Sequence, residues 1–339
     1  MVKEMNTNGF GELRVLVTGA GGPAAIAVLR SLSADPSLTL LSADMDPWAS
    51  GLYLVPMENR IILLNASETE YIPHLLEVCR EMRITILIPT VDSELEQIAS
   101  NLNLFNEVGI KVLGAPSDIL NRVLDKFKLI DACRGVVCTP KTELLSNVDL
   151  NSWLFPTILK PRRGSGSRGI QLINSRAELP VVENPESMIV QEYLPGDEYS
   201  IDVLADRYGF PLVAVPRLRV RIDSGVAVAG RTICDSILES FAKSVVLNMG
   251  LPYISNVQVR RNLDGEPALL EVNPRVPGSL ALTRAAGIDM ARLAVDELLG
   301  RPIPTILQHR EVAMVRPLSD VIVECEDLVP GAMLHPVIA

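Results

Sequence analysis

Residues 254–279 read ISNVQVRRNLDGEPALLEVNPRVPGS. Two alternating apolar runs flank the dipeptide Asp264-Gly265, a pattern that predicts a β-hairpin turning through positive φ. If the turn is centred between these two residues and no bulge intervenes, Gln258 lies directly opposite Glu271. Both side chains then share one face of the hairpin, because side chains alternate along a strand.

The same register places Asn256 opposite Asn273, on the face that carries Gln258 and Glu271. That face offers one carboxylate and three amides, which suit Mg²⁺ shared with substrate phosphates. An ordinary solvated hairpin face is the alternative. Arg275, just beyond the second strand, could hold a phosphate or carboxylate through two parallel hydrogen bonds. The opposite face is expected to enter a core through Val257, Val259, Leu270 and Val272.

The composition restricts the class of protein. The 339 residues are enough for two or three domains, and 48% hydrophobic with 21% charged residues is typical of a compact chain. A net charge of −10 disfavours a general nucleic-acid or anionic-membrane binder. Neither a membrane-spanning apolar run nor a signal peptide is recognisable, so a cytoplasmic location without membrane contact is expected.

Cysteine and histidine usage excludes further classes of site. Five cysteines without a C-x-x-C pair do not form a secreted disulfide framework, so Cys133 and Cys138 are expected to be reduced thiols. Three histidines, far apart in sequence, leave little material for a zinc site or a Ser-His-Asp triad.

The order of predicted elements changes near residue 114. Before it, helices alternate with strands at 13–18, 38–42 and 84–88, which predicts a parallel, doubly wound sheet. After it, strands dominate. The longer helices are predicted there at 117–133, 235–249 and 279–299.

A first glycine motif, Gly19-x-Gly21-x-x-Ala24, stands between a predicted strand and a predicted helix. With an acidic residue about 25 positions on, it fits the loose dinucleotide-binding fingerprint and raises the alternative of an NAD(P)-dependent oxidoreductase. The other interpretation is that the glycines only form a tight turn in a Rossmann-like domain with a different ligand.

A second motif, Gly164-x-Gly166-x-x-Gly169, is followed by another strand and not by a helix. It therefore predicts a glycine-rich hairpin that could close over a triphosphate, with Lys160 at its base. A mobile surface hairpin kept soluble by arginines is the alternative.

Two strand segments carry further polar groups. Glu198, Ser200 and Asp202 alternate onto one strand face, which is also typical of an ordinary solvent-facing strand. Arg217 and Arg219, with Arg221, are predicted on one face of another strand and favour an anionic ligand. Protection of an edge strand against aggregation is the competing explanation.

Taken in order, these segments resemble the ATP-grasp superfamily, in particular its carbamoyl-phosphate-synthase-like branch of carboxylate ligases. The match runs from about Leu13 to Ser319. It rests on Asp125-Lys126-Phe127, Cys138-Thr139-Pro140, Leu159-Lys160-Pro161, Gln191-Glu192-Tyr193-Leu194 with Glu198, and Glu271-Val272-Asn273-Pro274-Arg275. Residues 89–95, PTVDSEL, also resemble a turn of the family's N-terminal domain.

The resemblance implies a mixed α/β and α+β protein. A Rossmann-like preATP-grasp domain over 1–115 would precede a two-subdomain ATP-grasp fold over 116–339, with a lid subdomain at about 140–193. The implied cofactors are ATP and Mg²⁺.

The resemblance also implies roles for individual residues. Lys160 and Arg275 would be catalytic, and Gln258, Glu271 and Asn273 would bind the metal. The nucleotide would be held by Lys126, Lys160, Gly164, Ser165, Gly166, Gln191, Glu192, Tyr193, Leu194 and Glu198. The other substrates would meet Gly21, Gly22, Arg217, Arg219, Arg275, Gly278 and Ser279.

The implied reaction is ADP-forming ligation of a small carboxylate to an amine, or less often a thiol, through an acyl phosphate. Gln258 stands where many members have an acidic ligand, and the residues after Arg275 lack a further arginine, which disfavours carbamoyl phosphate as the product. A non-catalytic nucleotide-binding protein is the third alternative. Small-molecule substrates are the expected partners, and a homodimer is a compatible assembly.

Overall fold

The computed structural model describes residues 13–330, except 165, 167, 224, 225 and 318. The described residues form two compact units, one of residues 13–113 and 320–330, the other Gly114–Ser319. Assignment of the whole 116–339 range to one domain therefore differs from the structure at its C-terminal end. Val329 is buried beside Ala20 and Leu52 of the first unit, which accounts for the grouping of this segment.

The first unit is built on a parallel sheet. Among its described residues the strand order is β3-β2-β1-β4-β5, as the alternation of strands and helices predicted. The strands are β1 (Leu13–Thr18), β2 (Leu38–Asp44), β3 (Arg60–Ile62), β4 (Ile86–Ile88) and β5 (Lys111–Val112). The helices are α1 (Pro23–Leu32), α2 (Tyr71–Glu81), α3 (Asp92–Ser100) and α4 (Leu102–Glu107).

A buried carboxylate holds the PTVDSEL turn of this sheet in place. Glu94 is 3% exposed and accepts hydrogen bonds from Thr18 Oγ1 and Tyr71 Oη, each at 2.7 Å. It also accepts from the backbone amides of Thr90 and Val91, each at 3.0 Å. Burial raises the pKa of Glu94, and these hydrogen bonds oppose the rise. The motif is thus explained by the architecture of the first unit.

The second unit contains two antiparallel sheets. Its strands are β6 (Thr142–Leu144), β7 (Thr157–Pro161), β8 (Gln171–Ile173), β9 (Met188–Glu192), β10 (Glu198–Ala205), β11 (Pro211–Asp223), β12 (Val226–Thr232), β13 (Tyr253–Arg261), β14 (Pro267–Asn273) and β15 (Ala313–Val315). In the described residues, β6-β9-β7-β8 form the small sheet and β14-β13-β10-β11-β12-β15 the large one. The combination of α/β and α+β units confirms the predicted fold class.

Two long helices expected in this unit are each interrupted. The helices are α5 (Ser117–Val123), α6 (Lys126–Cys133), α7 (Ser236–Met249), α8 (Leu280–Ala285) and α9 (Met290–Leu299). Asp125 separates α5 from α6 because its side chain caps α6, accepting from the amides of Phe127 and Lys128. Gly287, at φ 109°, lies between α8 and α9. No helix in the described part of the chain has the length and apolar character needed to span a membrane.

The central hairpin has the predicted pairs but a different turn. Asn256 pairs with Asn273 and Gln258 with Glu271, as expected. The register then shifts, so that the strands contain a bulge, and the chain turns through three residues between Asn262 and Glu266. The assumption of a bulge-free hairpin was wrong. The turn shifts the register by one residue and the bulge shifts it back, so the two polar pairs are the ones that were predicted.

The bulge moves one apolar side chain to the opposite face. Leu269, not Leu270, pairs with Val259 and is fully buried in the core. Leu270 lines a cavity on the polar face of the sheet instead. Its predicted place in the core was therefore wrong, because a one-residue shift in register exchanges the two faces of a strand.

Candidate active site

A cavity in the second unit collects charged side chains from both sheets and from α6. Lys160 comes from the small sheet, Lys126 begins α6, and Gln258 and Glu271 come from the central hairpin. Among the residues that the structure describes, the lining is Lys126, Lys160, Pro161, Arg163, Gly164, Arg168, Ile170, Glu198, Arg219, Gln258, Leu270 and Glu271. Segments separated by more than a hundred residues thus meet at one place.

Two buried lysines lie near one carboxylate in this cavity. Lys126 Nζ is 3.5 Å from Glu271 Oε2 and donates to the carbonyl oxygen of Gly164 at 2.8 Å. Lys160 is 5% exposed. The pKa of Lys160 is lowered to about 8; desolvation is the main cause and the charge of Lys126 adds to it, while the carboxylates of Glu271 and Glu198 oppose the shift. An anion in the cavity would relieve the repulsion between the two ammonium groups.

The hairpin face offers oxygen ligands suited to a hard cation. Gln258 and Glu271 are directly opposite each other and both line the cavity, and Asn273 is two residues farther along the same strand. Among the described residues, no cluster of three His, Cys, Asp or Glu side chains could hold a metal alone. This donor set fits Mg²⁺, which usually takes one or two carboxylates and completes its coordination with water and substrate phosphates.

The glycine-rich hairpin forms another side of the cavity. Gly164, Gly166 and Gly169 have φ values of 134°, 70° and 73°, which favour glycine. Ser165 lies outside the described residues. Arg163, Arg168 and Ile170 also line the cavity, although the sequence analysis did not select them. The abundance of arginine near the glycines was a signal for them, since positive charge beside a glycine loop favours phosphate.

Residues 191–194 lie outside the lining of this cavity. Gln191 is buried, and its Nε2 donates to Thr142 Oγ1 at 2.9 Å. Glu192 donates its backbone amide to Lys141 O at 2.8 Å, and its side chain accepts from Lys141 N at 3.0 Å. Leu194 is 3% exposed. These contacts join β9 to β6, so recognition of adenine by residues 191–194, Tyr193 included, stays a prediction.

The arginines of β11 have partners within the protein. Arg219 pairs with Glu198, and both line the cavity. Arg217 is 4% exposed and pairs with the fully buried Asp202 at 2.5 Å. The register of β11 also shifts between Arg219 and Arg221, so the three arginines do not follow one regular strand face. Arg217 is therefore an internal ion-pair partner in this structure, and its contact with substrate is not supported.

Arg316 was missed by sequence reasoning and lies next to predicted substrate residues. Its Nη2 donates to Gly278 O at 2.8 Å. Its Nε is buried and has no hydrogen-bond partner in the described part of the chain. Burial, and then the charge of Arg217, lower the pKa of Arg316.

Two other predicted substrate residues lie near the start of α8. Ser279 is the residue before this helix, and Arg275 Nη1 donates to Val276 O at 3.2 Å.

The turn that carries Gly21 and Gly22 belongs to the first unit. Gly21 donates its amide to Asp44 Oδ2 at 2.8 Å, and Gly22 donates to Gly19 O at 2.9 Å. Gly19 has φ 68°, and a side chain there would collide with Val91. Asp44, the last residue of β2, thus occupies an amide that a dinucleotide phosphate would need, which weighs against binding of NAD(P).

The bulge gives a direct test of the face assigned to each leucine. Leu269→Lys is expected to reduce the free energy of unfolding by about 3 kcal/mol or more, because it forces a charge into the core. Leu270→Lys is expected to leave the melting curve nearly unchanged and to alter ligand binding in the cavity. Thermal melting of the two variants checks this, and equal destabilisation by both would contradict the bulged register.

Two family models match separate parts of the chain. Residues 184–321 match the model described as ATP-grasp in the biosynthetic pathway with Ter operon. Residues 15–113 match the PylC-like N-terminal domain. The two matches fall in the second and the first unit respectively, apart from the last two residues of the longer match.

Curated and solved proteins show the same likeness. The chain is 24% identical over 238 residues to the carbamoyl phosphate synthase arginine-specific large chain of Bacillus subtilis (strain 168), which is 62% of this chain and 23% of that protein. The chain thus spans less than a quarter of that relative's length. The biotin carboxylase–β-γ-ATP complex from Campylobacter jejuni has a TM-score of 0.71 at 16% identity, covering 86% of this chain and 72% of that one.

A second solved structure, L-amino acid ligase from Bacillus licheniformis, has a TM-score of 0.64 at 15% identity and covers 84% of this chain and 74% of that one. At such identities the likeness establishes the fold, and the activity has to be argued from the residues of the cavity.

Proposed function

We propose that this chain, which belongs to the ATP-grasp superfamily in its carbamoyl-phosphate-synthase-like branch, is an ADP-forming ligase. It would activate a small carboxylate as an acyl phosphate and pass the acyl group to an amine or, less often, a thiol. The observation that carries the proposal is the meeting of Lys126, Lys160, Gln258 and Glu271 around one cavity. Phosphoryl transfer requires cationic side chains that neutralise the phosphates and oxygen ligands that hold a metal ion, and this cavity offers both.

The chemistry needs little from protein acids and bases. A carboxylate oxygen of the substrate attacks the γ-phosphorus of ATP, the bond to the β–γ bridging oxygen breaks, and ADP leaves. The nitrogen of the amine then attacks the acyl carbon and loses a proton, and inorganic phosphate leaves. Positioning and charge neutralisation dominate the first step, which agrees with a cavity lined by lysine and arginine and not by histidine.

The lysines, the glycine hairpin and the polar hairpin face each have a part in this scheme. Lys126 and Lys160 would neutralise phosphate oxygens, and the glycine hairpin at Gly164 would cover them and exclude water. Glu271 and Gln258 would hold Mg²⁺, which when bound neutralises charge developing between the β- and γ-phosphates. Asn273 and Arg275, two and four residues beyond Glu271, are proposed to complete the metal site and to stabilise the transferred group.

The carboxylate substrate is proposed to bind near Arg316. The orphaned Nε and the nearby charge of Arg217 make this place favourable for an anion. Of the predicted substrate residues, Gly278 accepts from Arg316 through its carbonyl oxygen, and Arg275 and Ser279 are its close neighbours in sequence.

An ADP-release screen over pairs of carboxylates and amines tests the proposal. Hydroxylamine is added to trap an acyl phosphate as a hydroxamate. Mg²⁺-dependent ADP release that needs the carboxylate, with hydroxamate formed in the absence of amine, is the expected result. Nucleotide binding without turnover for any pair would favour a non-catalytic nucleotide-binding protein. Saturable binding of NAD(P) in the micromolar range would favour the oxidoreductase. It would also contradict the argument that Asp44 already occupies the amide of Gly21.

Arg316→Gln is expected to raise the KM for the carboxylate about 10- to 100-fold, because one charge-assisted contact is lost. The KM for ATP should change little. Steady-state rates with the substrate pair found by the screen measure both values. Arg310→Gln is the matched control, since Arg310 is exposed and its side chain donates only to Ala285 O among the contacts described. Equal effects on both KM values would contradict the proposed carboxylate site.

The lowered pKa of Lys160 predicts how nucleotide binding depends on pH. Phosphate prefers protonated lysine, and the free protein loses that proton as pH rises through about 8. Affinity for ATP in EDTA should therefore fall above this pH, by up to about tenfold per pH unit. Calorimetry in two buffers of different ionisation enthalpy should show proton uptake there. Lys160→Arg should remove the pH dependence, and persistence of the dependence in this variant would exclude Lys160 as its source.

The cellular location is proposed to be cytoplasmic. All five cysteines are free thiols in the described structure, and burial raises the pKa of Cys79 to about 12, which makes it unreactive.

A further inference from the structure

Three side chains of the second unit form a chain of contacts that the proposed ligase chemistry does not use. Cys234 Sγ is 4.0 Å from His309 Nδ1, and His309 Nε2 is 3.1 Å from Glu239 Oε1. None of the three lines the cavity of the candidate active site. A nucleophile, a base and a group that orients the base, in this order, are the elements of an activated nucleophile.

The hydrogen bonds define which nitrogen faces the thiol. The side chain of Glu239 accepts a hydrogen bond from the Nε2–H of His309. The neutral ring then has its lone pair on Nδ1, toward Cys234. His309 can accept the thiol proton there, and Glu239 would stabilise the imidazolium that results. The His309 side chain is only 6% exposed, so its orientation is fixed by packing as well as by Glu239.

The sulfur is accessible, and other charged groups near it have partners. Cys234 is exposed and immediately precedes Asp235, the N-cap of α7. Asp235 pairs with Arg261 at 2.9 Å. The backbone amide of Cys234 donates to Glu311 Oε1 at 3.0 Å, which ties the segment down. The N-terminal end of a helix favours a thiolate, while the carboxylates of Asp235 and Glu311 oppose it.

The other cysteines provide a comparison within the same molecule. Cys79 and Cys133 are buried, and burial raises the pKa of both thiols. Cys138 is exposed, but desolvation and nearby carboxylates raise its pKa. Cys325 is exposed and belongs to the first unit. Among the described contacts, a histidine nitrogen lies at the sulfur of Cys234 alone.

We propose that Cys234 is a nucleophilic site that a hydroperoxide oxidises, with His309 as its base and Glu239 as the residue that orients the base. His309 Nδ1 takes the thiol proton, and the thiolate attacks one oxygen of hydrogen peroxide. The S–O bond forms as the O–O bond breaks. The leaving oxygen takes the proton from the imidazolium, so that sulfur is oxidised to sulfenic acid and the peroxide is reduced to water.

Competitive alkylation of the intact native chain tests the proposal. A limiting amount of iodoacetamide is added at neutral pH, and mass spectrometry measures labelling at each of the five cysteines. Cys234 is expected to react about tenfold faster than Cys138 and Cys325, because His309 Nδ1 lies at its sulfur and can accept the thiol proton. A dimedone adduct at Cys234 after treatment with hydrogen peroxide is expected as well.

Variants of His309 and Glu239 show whether the reactivity of Cys234 depends on these two side chains or only on exposure of its sulfur. His309→Asn should reduce labelling of Cys234 to the level of Cys138, and Glu239→Gln should reduce it partially. His74→Asn, which alters a histidine of the first unit, should change nothing. Melting curves of all variants establish that they fold. Labelling of Cys234 no faster than that of Cys325, or a rate unaffected by His309→Asn in a folded variant, would overturn the proposal.

Discussion

Glu271→Gln is expected to slow Mg²⁺-dependent ADP release by about a thousandfold or more, while binding of the nucleotide itself persists. Glu271 is the carboxylate of the proposed metal set, since Gln258 and Asn273 contribute neutral amides. Mg²⁺ keeps several waters and depends strongly on its few anionic ligands. Without Glu271, the proposed site would hold the metal through the phosphates alone.

The loss should reflect metal binding and not a damaged fold. The Glu271 side chain is 24% exposed at the cavity, so its isosteric replacement should leave the melting temperature nearly unchanged. Glu266→Gln is the matched control, because Glu266 lies exposed in the turn of the same hairpin. Gln258→Glu adds a carboxylate directly opposite Glu271 and should be tolerated or lower the Mg²⁺ requirement. Turnover of Glu271→Gln like the parent at ordinary Mg²⁺ would mean that the metal site is misplaced.

The sequence could predict the two polar pairs of the hairpin, because each pair depends only on the number of residues that separate its two members along the chain. Gln258 faces Glu271 whether the extra residues lie in the turn or in a bulge. The face of Leu270, the extra residue of the bulge, depends on where the irregularity falls. Alternation predicts a face, but the position of a bulge is decided by packing against the rest of the sheet.

The ion-pair partners of the arginines could not be predicted, because they come from segments far apart in sequence. Alternation placed Glu198 and Asp202 on one face of β10, and spacing suggested a row of arginines on β11. Which arginine meets which acid depends on the register between these two strands. That register pairs Ser200 with Arg217, so Arg217 lies within reach of Asp202. Arg316 carries no local motif at all, and its relation to the site arises only from tertiary contacts.

Asp202 is the centre of a buried polar network near the site and has the largest expected effect on stability. It is fully buried and accepts from Arg217 Nε at 2.9 Å, from Arg217 Nη2 at 2.5 Å and from Asn256 Nδ2 at 2.8 Å. Thr283 Oγ1 donates to it as well. The carboxylate thereby joins β10, β11, β13 and α8 on the sheet face that also carries Gln258.

Asp202→Ala is expected to reduce the free energy of unfolding by about 3–5 kcal/mol, because it leaves the guanidinium of Arg217 buried without its counter-charge. Urea denaturation followed by circular dichroism measures the change. Glu198→Ala is the matched control: it removes the partner of Arg219 on the same two strands, but this carboxylate is 24% exposed, so a loss of about 1 kcal/mol or less is expected.

The double variant Asp202→Leu/Arg217→Met separates the cost of an unpaired charge from the value of the pair itself. Replacement of both partners by apolar side chains of similar size removes the buried charge, and stability should recover to within about 1–2 kcal/mol of the parent. Turnover should not recover equally, because Asn256, on the strand that carries Gln258, and Thr283, on α8, lose the acceptor that orients their side chains. If Asp202→Ala is as stable as Glu198→Ala, the ion pair does not carry the stability assigned to it. If the double variant regains full turnover, the network has no positioning role.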